Sequence, residues 1–292
     1  RAEGGGSILP EIGGTSFGVT IATPGWVAEL NACVDVGGAP ATIPVTRAPG
    51  DQDFPVVARD GVGGAFFSWT DRASLDISLQ HLSASGDVAP GWPAEGLPVC
   101  VLPAAQGAPR LTTDEMGGVL VAWADLRDGP LAAYAQRVYA DGSIAAGWPE
   151  NGARIVADRA IRELAGDGAG GAYLSSATLG DIQDSGYYLQ RFTGAGTIAP
   201  GWPEGGALVA SPAEFSRAGL RMVPDGAGGV LLAWYDYRDF SEDEIFLQRM
   251  RPDGTLHPGW PVDGLRITDN NEFDSAPKLA PEEKARLEAS RA

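Results

Sequence analysis

The chain has 292 residues, with 21 Lys and Arg against 38 Asp and Glu, a formal charge of -17 and 44% apolar residues. Such acidity excludes nucleic acid as a partner, because phosphate binding needs a basic surface, and it argues against anionic membranes. No apolar run approaches the ~18 residues that cross a bilayer, and the regular spacing of 41 Gly and 22 Pro suggests turns between short strands.

The opening stretch, RAEGGGSILPE, has neither an initiator Met nor a signal-peptide core and reads as a processed or excised form. A repeat follows. A Gly pair opens an apolar run at Gly63 (GGAFFSW), Gly117 (GGVLVAW), Gly170 (GGAYLSS) and Gly228 (GGVLLAW), with a weaker copy at Gly13 (GGTSFGV). Measured at the second Gly, the copies lie 50, 54, 53 and 58 residues apart. Five copies of one unit fill the chain.

Each unit reads as four strands. The first (PVVARD at Pro55, PRLTTD at Pro109) ends in an Asp turn at Asp60, Asp114, Asp167 or Asp225, a hairpin signal before the Gly pair. The second runs to Trp69, Trp123, Ser176 or Trp234 and is apolar at nearly every position, so both of its faces are buried. The third carries Gln80, Gln136, Gln190 and Gln248 in register; as polar residues in buried strands, these glutamines are expected to bond to nearby backbone. A Gly-Trp-Pro turn at Gly91, Gly147, Gly201 and Gly259 leads to a short fourth strand. Its Trp reads as a cover for the seam between units, with sugar stacking as the alternative.

Four-stranded antiparallel units of this length predict an all-β chain, a β-propeller of five blades, with a fragment of a larger propeller as the alternative. The units run near 7–50, 51–104, 105–157, 158–211 and 212–268. A closing strand at 273–281 completes one domain over 7–281, and 282–292 is a charged tail. Cys33 and Cys100 read as buried free thiols.

The pattern W-x-D-x-R, then D/E-I-x-x-Q-R, then D-G and G-W-P, seen in WADLRD from Trp123 and WYDYRDFSEDEIFLQRMRPDGT from Trp234, resembles a repeat of secreted and surface-anchored bacterial proteins. The resemblance implies propeller domains standing beside adhesive or sorting modules of a longer surface protein, without an assigned activity. The unit at Ser176 departs from it, losing Trp, Asp and Arg together.

Asp125, Arg127, Asp236, Tyr237 and Arg238 lie in loops between second and third strands and are candidates for ligand binding. Their recurrence also fits a purely structural role, each Asp capping its turn and pairing with Arg. Asp181, Asp184 and Tyr187 join them because the repeat is broken there, and ring symmetry alone makes no asymmetric pocket. No nucleophile elbow, metal-binding His pair or phosphate loop is present. Glu163 and Asp53, which break the repeat, are the carboxylates open to a glycosidase pair. The excess of carboxylate leaves room for Ca²⁺, yet no Asp-rich calcium loop stands in the sequence and no cofactor is expected.

The expected function is a non-enzymatic binding, adhesion or scaffold module outside the cell, with a glycan or protein ligand. The alternatives are a carbohydrate-active enzyme with carboxylates in the central channel, and a structural repeat of a surface layer or filament.

Overall fold

A computed structural model of the chain describes residues 18–21, 41–178, 186–211, 217–236, 238 and 244–268. β1 (Gly18–Ile21) and β2 (Ala41–Pro44) form an antiparallel pair. Four antiparallel sheets of four strands follow. Blade one holds β3 (Gln52–Arg59), β4 (Ala65–Asp71), β5 (Ile77–Leu82) and β6 (Leu97–Cys100). Blade two holds β7 (Gln106–Thr113), β8 (Val119–Asp125), β9 (Ala132–Val138) and β10 (Ala153–Ala157). Blade three is β11 (Arg159–Gly166), β12 (Ala172–Thr178), β13 (Tyr187–Phe192) and β14 (Ala207–Ala210). Blade four is β15 (Arg217–Pro224), β16 (Val230–Asp236), β17 (Glu244–Met250) and β18 (Leu265–Arg266).

The strands are ordered by sequence within each sheet, so the fold class is the one expected: all-β, with four-stranded antiparallel blades of a β-propeller. Apart from β1 and β2, most of the unit at 7–50 and the whole closing strand at 273–281 lie outside the described residues. The chain divides into two compact units; the first ends near Arg154, apart from Leu131–Ala133, and the second takes the remainder.

Each blade is tied at three points by residues of the repeat. At the first hairpin, Oδ1 of Asp114 accepts backbone N–H bonds from Met116 and Gly118, at 2.8 and 2.7 Å. Its Oδ2 takes Nε and Nη2 of Arg137 on the third strand. Asp167 with Arg191 and Asp225 with Arg249 repeat this; blade one uses Asp60 and His81. A Cβ on Gly118 would stand 2.7 Å from the Val138 carbonyl, so the second glycine of the pair is required by close approach.

The second strand forms the core. In β4, β8 and β16 nearly every side chain is buried, ending in Trp69, Trp123 and Trp234. Burying an indole on this scale contributes about 2–3 kcal/mol. As expected, the glutamines of the third strand are satisfied by backbone. Nε2 of Gln80, Gln136, Gln190 and Gln248 donates to the Pro carbonyl of the next turn (Pro93, Pro149, Pro203, Pro261) at 2.7 to 2.9 Å. That turn carries the Trp onto the following blade: Trp92 Nε1 donates to the Ala140 carbonyl, and Trp202 Nε1 to that of Pro252. The Gly-Trp-Pro motif is a seam cover.

Candidate functional site

The loops after the second strands were the first candidates. In blade two the Asp125 carboxylate has no exposed surface. It accepts Trp123 Nε1 at 2.9 Å, the Arg127 amide at 2.8 Å and Arg127 Nη2 at 2.6 Å. Arg127 Nη2 also reaches the Asn151 carbonyl at 2.8 Å, and the guanidinium lies 3.8 Å over the ring of Tyr134. Burial works against the ionised Asp125, but hydrogen bonds from Arg127 and Trp123 outweigh it and hold the carboxyl below the usual carboxylate range.

Blade four repeats the arrangement. Asp236 accepts Trp234 Nε1 at 3.1 Å, the Arg238 amide at 3.2 Å and Arg238 Nε at 2.8 Å, and a further bond from Arg217 Nε at 3.2 Å. Arg238 stacks 3.5 Å over Phe246. Both pairs thus bond to their own blade and close the loop onto the sheet. Tyr187 is buried against Trp234, its hydroxyl pushed up to about 12 by burial. Asp181, Asp184 and Tyr237 lie outside the described residues.

Cys100 is a buried free thiol, with burial raising its pKa to about 12; Cys33 lies outside the described residues. No group of three His, Cys, Asp or Glu among the described residues is placed to hold a metal ion. Likewise, no described helix is long and apolar enough to cross a membrane, which says nothing of β-barrels.

A different set of polar groups faces solvent. Strand register aligns Asp53, Gly107, Ala160 and Ala218, which stand opposite Thr70, Ala124, Ala177 and Tyr235 of the second strands. It also aligns Val56, Arg110, Glu163 and Arg221, opposite Ser68, Ala122, Ser175 and Ala233. Between the two positions the pairing slips in every blade, a bulge that re-aims side chains.

In this frame Asp53 and Glu163 are acids at positions where the other blades carry none. Asp53 Oδ2 accepts Arg72 Nε at 2.8 Å, with the side chains 33% and 63% exposed; Arg72 Nη1 lies 3.8 Å from Asp51. Hydrogen bonding to Asp53 raises the Arg72 pKa. In the second unit Glu163 Oε1 accepts Arg221 Nη1 at 3.0 Å, from the first strand of the next blade. Arg72 is the residue that sequence reasoning missed. It follows Asp71 directly, whereas the arginine of the other loops stands two residues after its Asp, and this shortened spacing was the available signal.

No family model and no curated protein matches the chain. Among solved structures the chain is similar to an endo-arabinase from Bacteroides thetaiotaomicron, at 13% identity and a TM-score of 0.46, over 78% of this chain and 84% of that one. It is similar to an N-acetylgalactosamine deacetylase from F. plautii, solved with blood group B trisaccharide, at 14% identity and a TM-score of 0.40, over 72% and 69%. An endo-1,4-beta-xylanase from Bacteroides thetaiotaomicron is similar at 9% identity and a TM-score of 0.39, over 77% and 81%. At these identities the likeness is one of fold. These neighbours are an arabinase, a deacetylase and a xylanase, which runs against the expectation of a non-enzymatic binding, adhesion or scaffold module.

Proposed function

We propose that the chain is a carbohydrate-active enzyme that works on glycans outside the cell, with Asp53 and Glu163, each within its own unit, as candidate acidic groups. One observation carries this reading. The carboxylates that recur at the first hairpin and at the end of the second strand, such as Asp114, Asp125, Asp225 and Asp236, are enclosed within the blades, whereas Asp53 and Glu163 stand partly exposed at positions where the other blades carry no acid. Glycoside hydrolysis uses carboxylates, one to protonate the leaving oxygen and one to act as nucleophile or to activate water. Arg72 and Arg221 fix the orientation of each carboxylate, as a reacting group requires. Neither cofactor nor metal enters the proposal, and the chain's acidity fits a soluble protein facing uncharged polymers.

The test is release of reducing ends from arabinan, xylan and xyloglucan, with and without added Ca²⁺, by the intact chain and by Asp53→Asn and Glu163→Gln. Cleavage by the intact chain that falls at least ~100-fold in both variants supports the reading. No cleavage of any polymer, or cleavage indifferent to both substitutions, sinks it.

A further inference from the structure

Blade three has lost the carboxylate of its loop and kept the cation. In blades two and four the second strand ends in Asp125 or Asp236. Each is bonded to an arginine of the loop, and that arginine lies over an aromatic ring, Arg127 over Tyr134 and Arg238 over Phe246. The aromatic stands two places before the glutamine of the third strand. Blade three has the same aromatic, Tyr188, and Arg159 lies 3.5 Å over its ring. Strand pairing sets Arg159 opposite Thr178, whereas the aligned residues Gln52, Gln106 and Arg217 stand opposite Asp71, Asp125 and Asp236. Arg217 is the direct counterpart in blade four, and its Nε donates to Asp236 Oδ2 at 3.2 Å.

Thr178 keeps a hydrogen-bonding role, since its Oγ1 accepts the Gly186 N–H at 3.1 Å, but it carries no charge. Arg159 is partly buried. Among the described residues its guanidinium meets no carboxylate and no hydrogen-bond acceptor, and its Nε is enclosed without a partner. A guanidinium presents a planar fork that fits a carboxylate through two parallel N–H···O bonds. The group that the sister blades supply from their own chain is therefore the group this place lacks, and a ligand carboxylate matches it. With 38 acids against 21 bases the chain repels polyanions. A single carboxylate on an otherwise neutral glycan fits that charge better than a densely acidic polymer.

We infer that Arg159, held on Tyr188, binds the carboxylate of a uronic acid carried by such a glycan. The ligand class rests on the carbohydrate-active reading, yet the two can fail separately. The experiment is calorimetry of the intact chain with xylotriose bearing one glucuronic acid, with plain xylotriose and with sodium sulfate. It is repeated on Arg159→Gln, on Thr178→Asp and on the double change Asp181→Asn with Asp184→Asn. The acidic sugar should bind about tenfold or more tighter than the neutral one, the range of charge-assisted hydrogen bonds. Arg159→Gln should remove that difference. Thr178→Asp should also remove it while raising Tm, because the restored carboxylate takes the guanidinium; this separates a filled site from a misfolded chain. Equal affinity for the two sugars, or a preference that survives both substitutions, overturns the site. Sulfate binding as tightly as the acidic sugar overturns it too. So does a preference that emerges only in the Asp181 and Asp184 double variant, since the chain then carries its own counter-ion. If binding depends on Arg159 but no polymer is cut, the site stands and the enzyme reading falls. If polymer is cut while both sugars bind equally, the enzyme reading stands and the site falls.

Discussion

Arg159 places its guanidinium 3.5 Å above the ring of Tyr188 in blade three, where the second strand ends in Ser176 and Thr178 rather than Trp and Asp. In blades two and four the same stack is made by Arg127 over Tyr134 and Arg238 over Phe246, with the cation arriving from the loop. Blade three keeps the contact and takes its cation from the first strand. Removing it by Arg159→Ala should cost about 1–2 kcal/mol in urea unfolding, from the cation–π contact together with the packing of the side-chain stem. An unchanged midpoint would show the stack to be incidental.

The buried carboxylates hold the loops and should fail when neutralised. Asp125→Asn and Asp236→Asn each leave arginine facing a neutral amide inside the blade, a change of about 3 kcal/mol or more. Chemical denaturation should place both variants well below the intact chain. Asp53→Asn, at the exposed pair, should change stability by less than about 1 kcal/mol.

His81 occupies the position held by Arg137, Arg191 and Arg249, at 3.0 Å from Asp60. The imidazole makes a single contact with Asp60 where an arginine offers a permanent charge and several N–H groups. His81→Arg should therefore stabilise the chain by about 1 kcal/mol at pH 8, read from the denaturation midpoint. A destabilised variant would mean that stacking of His81 on Phe66, at 4.1 Å, outweighs the charge.

Stability should fall at both ends of the pH scale. For Asp60, Asp125 and Asp225, burial opposes ionisation but is outweighed by hydrogen bonds from His81, Arg127 and backbone amides, which leave each carboxyl below the usual range. Their stabilisation is complete above the unfolded value of about 3.9 and is lost as pH drops through the folded values. The hydroxyls of Tyr173 and Tyr187 are pushed up to about 12 by burial. Their contribution is present below the unfolded value of about 10 and disappears as pH climbs toward 12. Tm against pH should show both flanks, and Tyr187→Phe should make the alkaline flank shallower.

Gly152 has a φ of +86°, and a Cβ there would stand 2.4 Å from the Trp123 ring. Gly152→Ala combines a strained backbone with an overpacked core and should lower stability by about 2–4 kcal/mol, visible as a drop in Tm.

Much of the fold was legible because it repeats. An apolar second strand, an Asp and two glycines at the first hairpin, and a Gln in the middle of the third strand each answer a need that every blade shares, so they recur in register. The seam role of Trp92 and Trp202 could be read for the same reason. The site was harder to read. Asp125 and Asp53 are alike in composition, and only strand pairing shows that one is enclosed by Trp123 and Arg127 while the other projects from a bulge beside Arg72.

The sequence by itself determined the architecture, since short-range patterns of burial, turn chemistry and period suffice for a four-stranded antiparallel blade. Tertiary structure decided which polar groups face solvent. That choice depends on register slips in the first strand and on contacts made across about 20 to 60 residues, such as Arg72 with Asp53 and Arg221 with Glu163, and no local pattern encodes them.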